Sequence, residues 1–339
     1  MTDPASPGAA VPGPSTSAVS KSGKRTTPEP KEITAADMLD YLNTESDFGF
    51  EISVIKHLRT LHFDVEHGGT YMDDVTGKPR QFDFRATLSD DRRIVRLAVE
   101  CKNLRKKFPM IVSCLPRSHD EATQHFGFSI NNKVFNFHDL RKPPGMFSSG
   151  EESLEPRFKR LELHNANTLY REGEPVGKSV AQVGRLTDGK FNINDTEVYQ
   201  KWAQALSSAV ELVSILPFDG AQSPINARFS CVIPVLVVPK GTLWKCGFDF
   251  DGNRTMNPVE CDRVQIYINK SCNYQDGIFQ GTYRLTHIEV VTIDGLTELV
   301  ARLTHETAIL PRSMAIDLIG KLLPLDEDSF GVTDWVTGF

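Results

Sequence analysis

Within residues 81–104, QFDFRATLSDDRRIVRLAVECKNL, two acids and an amine stand at spacings that would let them share one pocket. Strand side chains alternate between faces, so Val95, Leu97, Val99 and Cys101 fall on one side of the second extended run, and Arg96, Ala98, Glu100 and Lys102 on the other. In the first run Phe82, Phe84, Ala86 and Leu88 alternate with Gln81, Asp83, Arg85 and Thr87. Pairing of these runs through the Ser89-Asp90-Asp91-Arg92 turn brings Asp83, Glu100 and Lys102 together. Like carboxylates held side by side repel unless a cation joins them. Mg²⁺ takes one or two carboxylates, with waters completing an octahedral oxygen shell. The backbone carbonyl of Cys101 is expected as a further ligand, and Lys102, ~6.6 Å along the strand from Glu100, would face an attacking water. The chemistry such a set suits is phosphodiester hydrolysis, which needs an activated water and neutralisation of phosphoryl charge.

An Asp, a gap, then Glu-x-Lys at the end of the hydrophobic run LAVEC resembles the PD-(D/E)XK phosphodiesterase superfamily, the restriction-endonuclease-like nucleases. Phe82 stands where the motif's name has proline. The resemblance implies an α/β (α+β) fold with a restriction-endonuclease-like core, a central mixed β-sheet flanked by helices. It implies Mg²⁺ (or Mn²⁺) on Asp83 and Glu100, with Lys102 positioning water. It also implies an acidic metal ligand on the first core helix, and Glu51 occupies that place. On its own chemistry Glu51 is equally a carboxylate favoured by a helix N-terminal dipole.

The elements that must position these residues follow from pattern. Residues 1–32, rich in Pro, Ser, Gly and Ala, read as a disordered tail. Thr34 and Asp37 form a capping-box-like start to a short helix. A second helix runs from Asp47 to about Leu61, with Glu51, Ile55 and Leu58 on one stripe. A strand is expected from Phe63, a turn over 73–79, the Asp83 and Glu100 strands, and an apolar strand Met110 to Leu115. The spacing of Val198, Trp202, Ala205, Ala209, Leu212 and Leu216 predicts a helix over 195–216, and Val- and Ile-rich 229–238 a buried strand. Further strands are expected at 263–269 and 283–291 and a helix at 294–303. The implied domain division is a core over 33–240 with a long loop-rich insertion at about 117–178, then a C-terminal αβ extension, 241–339, packed on the same domain.

With 339 residues, 40% hydrophobic and 24% charged, the chain can bury a substantial core. A net charge of -6 supplies no global positive field, so binding of nucleic acid must rest on local patches. Candidate phosphate contacts are Lys106, Lys107, Arg141, Lys142, Arg157, Lys159, Arg160 and Lys178, with Gln182 as a polar contact and His119 and His125 nearby. The six cysteines form no CxxC pair and read as reduced thiols of a cytoplasmic protein. No apolar stretch approaches the ~20 residues that cross a bilayer. Two decoys fail on spacing: 173–179, GEPVGKS, is one residue short of a P-loop, and 249–260 has Arg254 where a calcium loop needs glycine, so a hairpin turn at Asp251-Gly252 is expected. The expected activity is metal-dependent endonucleolytic hydrolysis of nucleic acid, DNA ahead of RNA, with a homodimer suited to duplex cleavage. The alternatives are a catalytically inactive nuclease-fold protein that binds nucleic acid or serves as a scaffold, and an unrelated α/β protein in which these charges are structural.

Overall fold

The computed structural model describes residues 31–73, 77–90, 93–130, 157–164, 168–222, 227–276 and 279–304. Helix α1 (Ala35–Thr44) opens on the expected capping box, in which the Thr34 side chain accepts the Asp37 amide and the Asp37 carboxylate accepts the Thr34 amide. Helix α2 (Phe48–Thr60) buries Val54, Ile55 and Leu58. Three strands follow as an antiparallel meander: β1 (Asp64–Met72), β2 (Pro79–Ser89) and β3 (Arg93–Cys101). Asp90 fixes the turn between the last two, accepting the Arg93 amide at 2.7 Å.

Between β3 and helix α3 (Thr196–Ser214) lie β4 (Met110–Pro116), β5 (Thr123–Ile130), β6 (Arg157–His164), β7 (Pro175–Arg185) and β8 (Phe191–Ile193). A 3₁₀ turn, Leu216–Gln222, leads from α3 to β9 (Ala227–Val237). The described chain ends with β10 (Leu243–Phe248), β11 (Arg254–Glu260), β12 (Arg263–Asp276), β13 (Phe279–Val291) and α4 (Ile293–Thr304). The strands form a 13-stranded mixed sheet in the order β1-β2-β3-β9-β13-β12-β7-β4-β10-β11, with β5 on β9, β6 on β5 and β8 on β7. β3 and β9 run parallel from Arg93 opposite Phe229 to Cys101 opposite Val237. The fold is thus α+β, a large mixed sheet flanked by a few helices.

Alternation assigns the two faces. Phe84, Ala86, Val95, Leu97, Val99 and Cys101 pack with Val54 and Leu58 of α2 and with Leu296 and Leu299 of α4. Ala98 points the other way, onto Ala209, Leu212 and Val213 of α3. Asp83 and Glu100 share that second parity and therefore lie beneath α3.

Two expectations about organisation need correction. The stretch read as loop-rich, about 117–178, carries β5, β6 and the start of β7. In β5 both faces are buried, Gln124, His125 and Ser129 along with Phe126 and Phe128, so no burial alternation marks the strand, whereas in β6 buried Leu161 and Leu163 alternate with exposed Arg160 and Glu162. The part read as a C-terminal extension supplies β12 and β13, which lie between β9 and β7 in the middle of the sheet. Residues 1–30 of the tail, the middle of the insertion with Arg141 and Lys142, and residues 305–339 lie outside the described residues. Among the described residues no helix is long and apolar enough to cross a membrane.

Candidate active site

The β2–β3 ladder runs to Phe84 opposite Val99, and at the next position side chains take over from backbone. The Asp83 amide donates to Glu100 Oε1 at 3.2 Å, and the Cys101 amide donates to Asp83 Oδ2 at 2.7 Å. Each carboxylate is thereby oriented by the other residue's strand. Glu100 has no exposed surface, and burial, reinforced by the charge of Asp83, pushes its carboxyl up to about 8.

An amine that sequence reasoning did not assign joins them. Lys201 Nζ lies 2.8 and 2.9 Å from the two Asp83 oxygens and 3.1 Å from Glu100 Oε2. Burial alone would pull this amine down, but the charges of Glu100 and Asp83 outweigh it and the net shift is upward. The signal that could have found it is on α3: Val198, Lys201, Ala205, Ser208 and Leu212 recur at helical spacing, so one lysine sits on a stripe that otherwise faces the sheet. The same stripe reaches Arg85, which donates through Nε to Ser208 Oγ at 3.1 Å and pairs with Glu211.

Lys102 does not sit on Asp83 and Glu100, as expected from its place in the motif. Its Nζ is 3.3 Å from Asp47 and 3.1 Å from Glu197, because Asp47, at the start of α2, also accepts the Asn103 amide at 2.8 Å and holds the chain leaving β3. Against the burial that would lower it, the bond to Glu197 and the charge of Asp47 raise the Lys102 amine. Glu51 is close enough for Asp83 to add to the burial that raises its carboxyl, and its Oε2 lies 3.8 Å from His67 Nε2. Tyr71 is buried nearby, its phenol raised by burial and then by Glu100. Asp83, Glu100, Glu51, Asp47 and Glu197 thus face two amines, Lys201 and Lys102, an excess of acid.

The expected phosphate contacts scatter. Lys106 and Lys107 are exposed on the link that leaves β3. Arg160 donates to the Thr282 carbonyl at 2.8 Å, and Gln182 to the Phe108 carbonyl at 3.2 Å. Lys178 pairs with Glu121 and lies 5.1 Å over the Tyr267 ring. Arg157 and Lys159 sit on β6, their side chains outside the described set. His119 is exposed, 3.1 Å from Glu172, whereas His125 is buried beneath Tyr283. The short P-loop imitation is the start of β7, where Gly177 packs against Val112 and Ile266. The calcium-loop imitation is a hairpin whose Asp249 accepts the Asp251 and Asn253 amides, with Gly252 at φ +85°.

Among the described residues no three His, Cys, Asp or Glu side chains gather as a metal-ligating group. What does gather is two carboxylates whose oxygens converge on one ammonium, an all-oxygen donor set of the kind Mg²⁺ accepts with waters in its remaining positions. In type and convergence these residues fit a hard divalent ion. Comparison of the chain with protein-family models, with curated proteins and with solved structures returned no match.

Proposed function

We propose that this chain is a Mg²⁺- or Mn²⁺-dependent nuclease that hydrolyses phosphodiester bonds in nucleic acid, DNA ahead of RNA. The observation that carries the reading is the convergence of Asp83 and Glu100 on a single cation-sized position, occupied by Lys201 Nζ. With β4 to β8 inserted between β3 and α3, the elements α2, β1, β2, β3, α3 and β9 still follow one another as helix, three strands, helix, strand, with β3 parallel to β9, which supports it as the core order the motif's resemblance implies.

Asp83 and Glu100 would hold the ion, with Glu51 and the Cys101 carbonyl as further oxygen ligands. A bound divalent ion would supply Lewis acidity and a water of lowered pKa. The chain's own amides do the orienting: that of Cys101 fixes the Asp83 carboxylate, and that of Asp83 fixes Glu100. Lys102, kept protonated by Asp47 and Glu197, would meet developing negative charge once substrate displaces the exposed Glu197. Lys106 and Lys107 offer exposed charge to the phosphate backbone beside it. A homodimer would present two such sites to a duplex.

The test is cleavage of plasmid, linear, single-stranded and RNA substrates with Mg²⁺, Mn²⁺ or EDTA. Cleavage is expected only with metal, and Asp83→Ala and Glu100→Ala are expected to abolish it while the circular dichroism spectrum is retained. Activity at the wild-type level in either variant would overturn the assignment. A second reading, a nuclease-fold protein that binds nucleic acid without cutting it, is favoured by the salt bridges that already engage both Lys201 and Lys102. Retained binding with no cleavage in any metal would select it.

A further inference from the structure

The amine between the acids is placed where the ion would go. Lys201 Nζ takes lone pairs from both Asp83 oxygens and from Glu100 Oε2. A Mg²⁺ ion bound to those carboxylates would lie at ~2.1 Å from its ligand oxygens. Two cations drawing on the same oxygens repel and cannot share the gap. One helical turn earlier on α3, Glu197 holds Lys102, so a single helix face supplies countercharge to both parts of the motif.

Building on the metal-dependent reading above, we propose that Lys201 is a resident competitor for the divalent ion, occupying the position on Asp83 and Glu100 until metal displaces it. The amine makes the metal-free pocket tolerable, since Glu100 is wholly buried and Asp83 lies against it. Displacement needs no movement of α3, whose Val198, Ala205 and Ala209 stay packed on the sheet. The lysine arm is unbranched, and 19% of the side chain already reaches solvent. The competitor sets two properties at once: it weakens metal binding and stabilises the metal-free protein.

The full chain with Lys201→Met and with Lys201→Gln separates these effects from activity. Titration calorimetry with MnCl₂ is expected to give at least roughly tenfold tighter binding in both variants than in wild type. Thermal melts in EDTA are expected to show both variants less stable than wild type, with Mn²⁺ restoring most of the difference and moving wild type little. A variant too unstable to fold in EDTA is refolded in Mn²⁺; recovery supports the competitor and failure to recover opposes it. Manganese affinity equal to or weaker than wild type in both variants overturns the proposal. The nuclease reading fails separately: tighter Mn²⁺ binding without cleavage of any substrate removes the nuclease and leaves the competitor. Metal-dependent cleavage with unchanged Mn²⁺ affinity does the reverse.

Discussion

Beneath α3 the sheet carries a second buried charge pair whose cost is easier to assign than that of the site. Arg96 donates through Nη1 to Asp219 Oδ2 at 2.7 Å and through Nη2 to Oδ1, and Ser230 also donates to Asp219. Both partners are nearly inaccessible, at 7% and 2% exposure, so removing one leaves the other charged and unsolvated. Asp219→Ala is expected to destabilise the protein by about 3–5 kcal/mol in urea unfolding, more than an ordinary surface truncation. An unchanged midpoint would mean that water reaches Arg96. At this scale Asp83 and Glu100 were legible because parity along a strand is a property of the sequence itself. Lys201 and Asp219 were not, because which distant side chain neutralises a strand residue depends on how a helix is laid across the sheet. The motif suggested an amine beside the acids; the structure supplies one from α3, while Lys102 goes to Asp47 and Glu197.

At the level of elements, the antiparallel β5–β6 pair docks on β13 through a histidine that must stay neutral. The Arg284 amide donates to His125 Nδ1 at 2.9 Å, so the ring's proton belongs on Nε2, which lies 3.5 Å from Glu162. Burial lowers the ring to about 4; the Glu162 charge opposes this, and Arg160 and Arg284 add to it. The folded state therefore binds fewer protons than the unfolded state between about 4 and the ordinary value of 6.5, and stability falls as pH falls through that window. The loss should reach about 3 kcal/mol at most in denaturant melts between pH 7.5 and 4, and His125→Asn should flatten the slope. An equal slope in both proteins would assign the acid sensitivity elsewhere. Helix α4 offers a steric counterpart: a Cβ on Gly295 would meet the Asp262 carbonyl oxygen at 1.7 Å, where that carbonyl also accepts the Thr292 amide. Gly295→Ala should cost about 3 kcal/mol or more in thermal or urea unfolding, because the obstacle is backbone and cannot swing aside. A cost under about 1 kcal/mol would show that α4 re-docks freely. Helices and apolar strands were legible here from period alone; β6 was missed because charged Arg160 and Glu162 occupy its exposed face, and β5 because polar Gln124, His125 and Ser129 are themselves buried, leaving no alternation to read.

Over the whole molecule the order of strands in space departs most from their order along the chain. β4 pairs antiparallel with β7 and parallel with β10, while β12 and β13 separate β9 from β7. Local pattern gives the existence of a strand but not its neighbour, so a linear reading divided the chain after residue 240 into core and extension. The sheet allows no such division. β9 contributes Val235, Leu236 and Val237 to ladders with β3 on one side and β13 on the other, and all three residues are buried. Cutting the chain after Lys240 removes β10 to β13 and α4, leaving that edge unpaired and the apolar face opposite Leu296 and Leu299 uncovered. The full chain is expected to unfold in a single transition, with far- and near-ultraviolet circular dichroism coincident. The 1–240 fragment is expected to show no cooperative melt, to bind a hydrophobic dye and to aggregate. A sharp melt in that fragment would mean that the β1–β3 meander, α2, α3 and β9 fold without the central strands, and the site could then be studied on them alone.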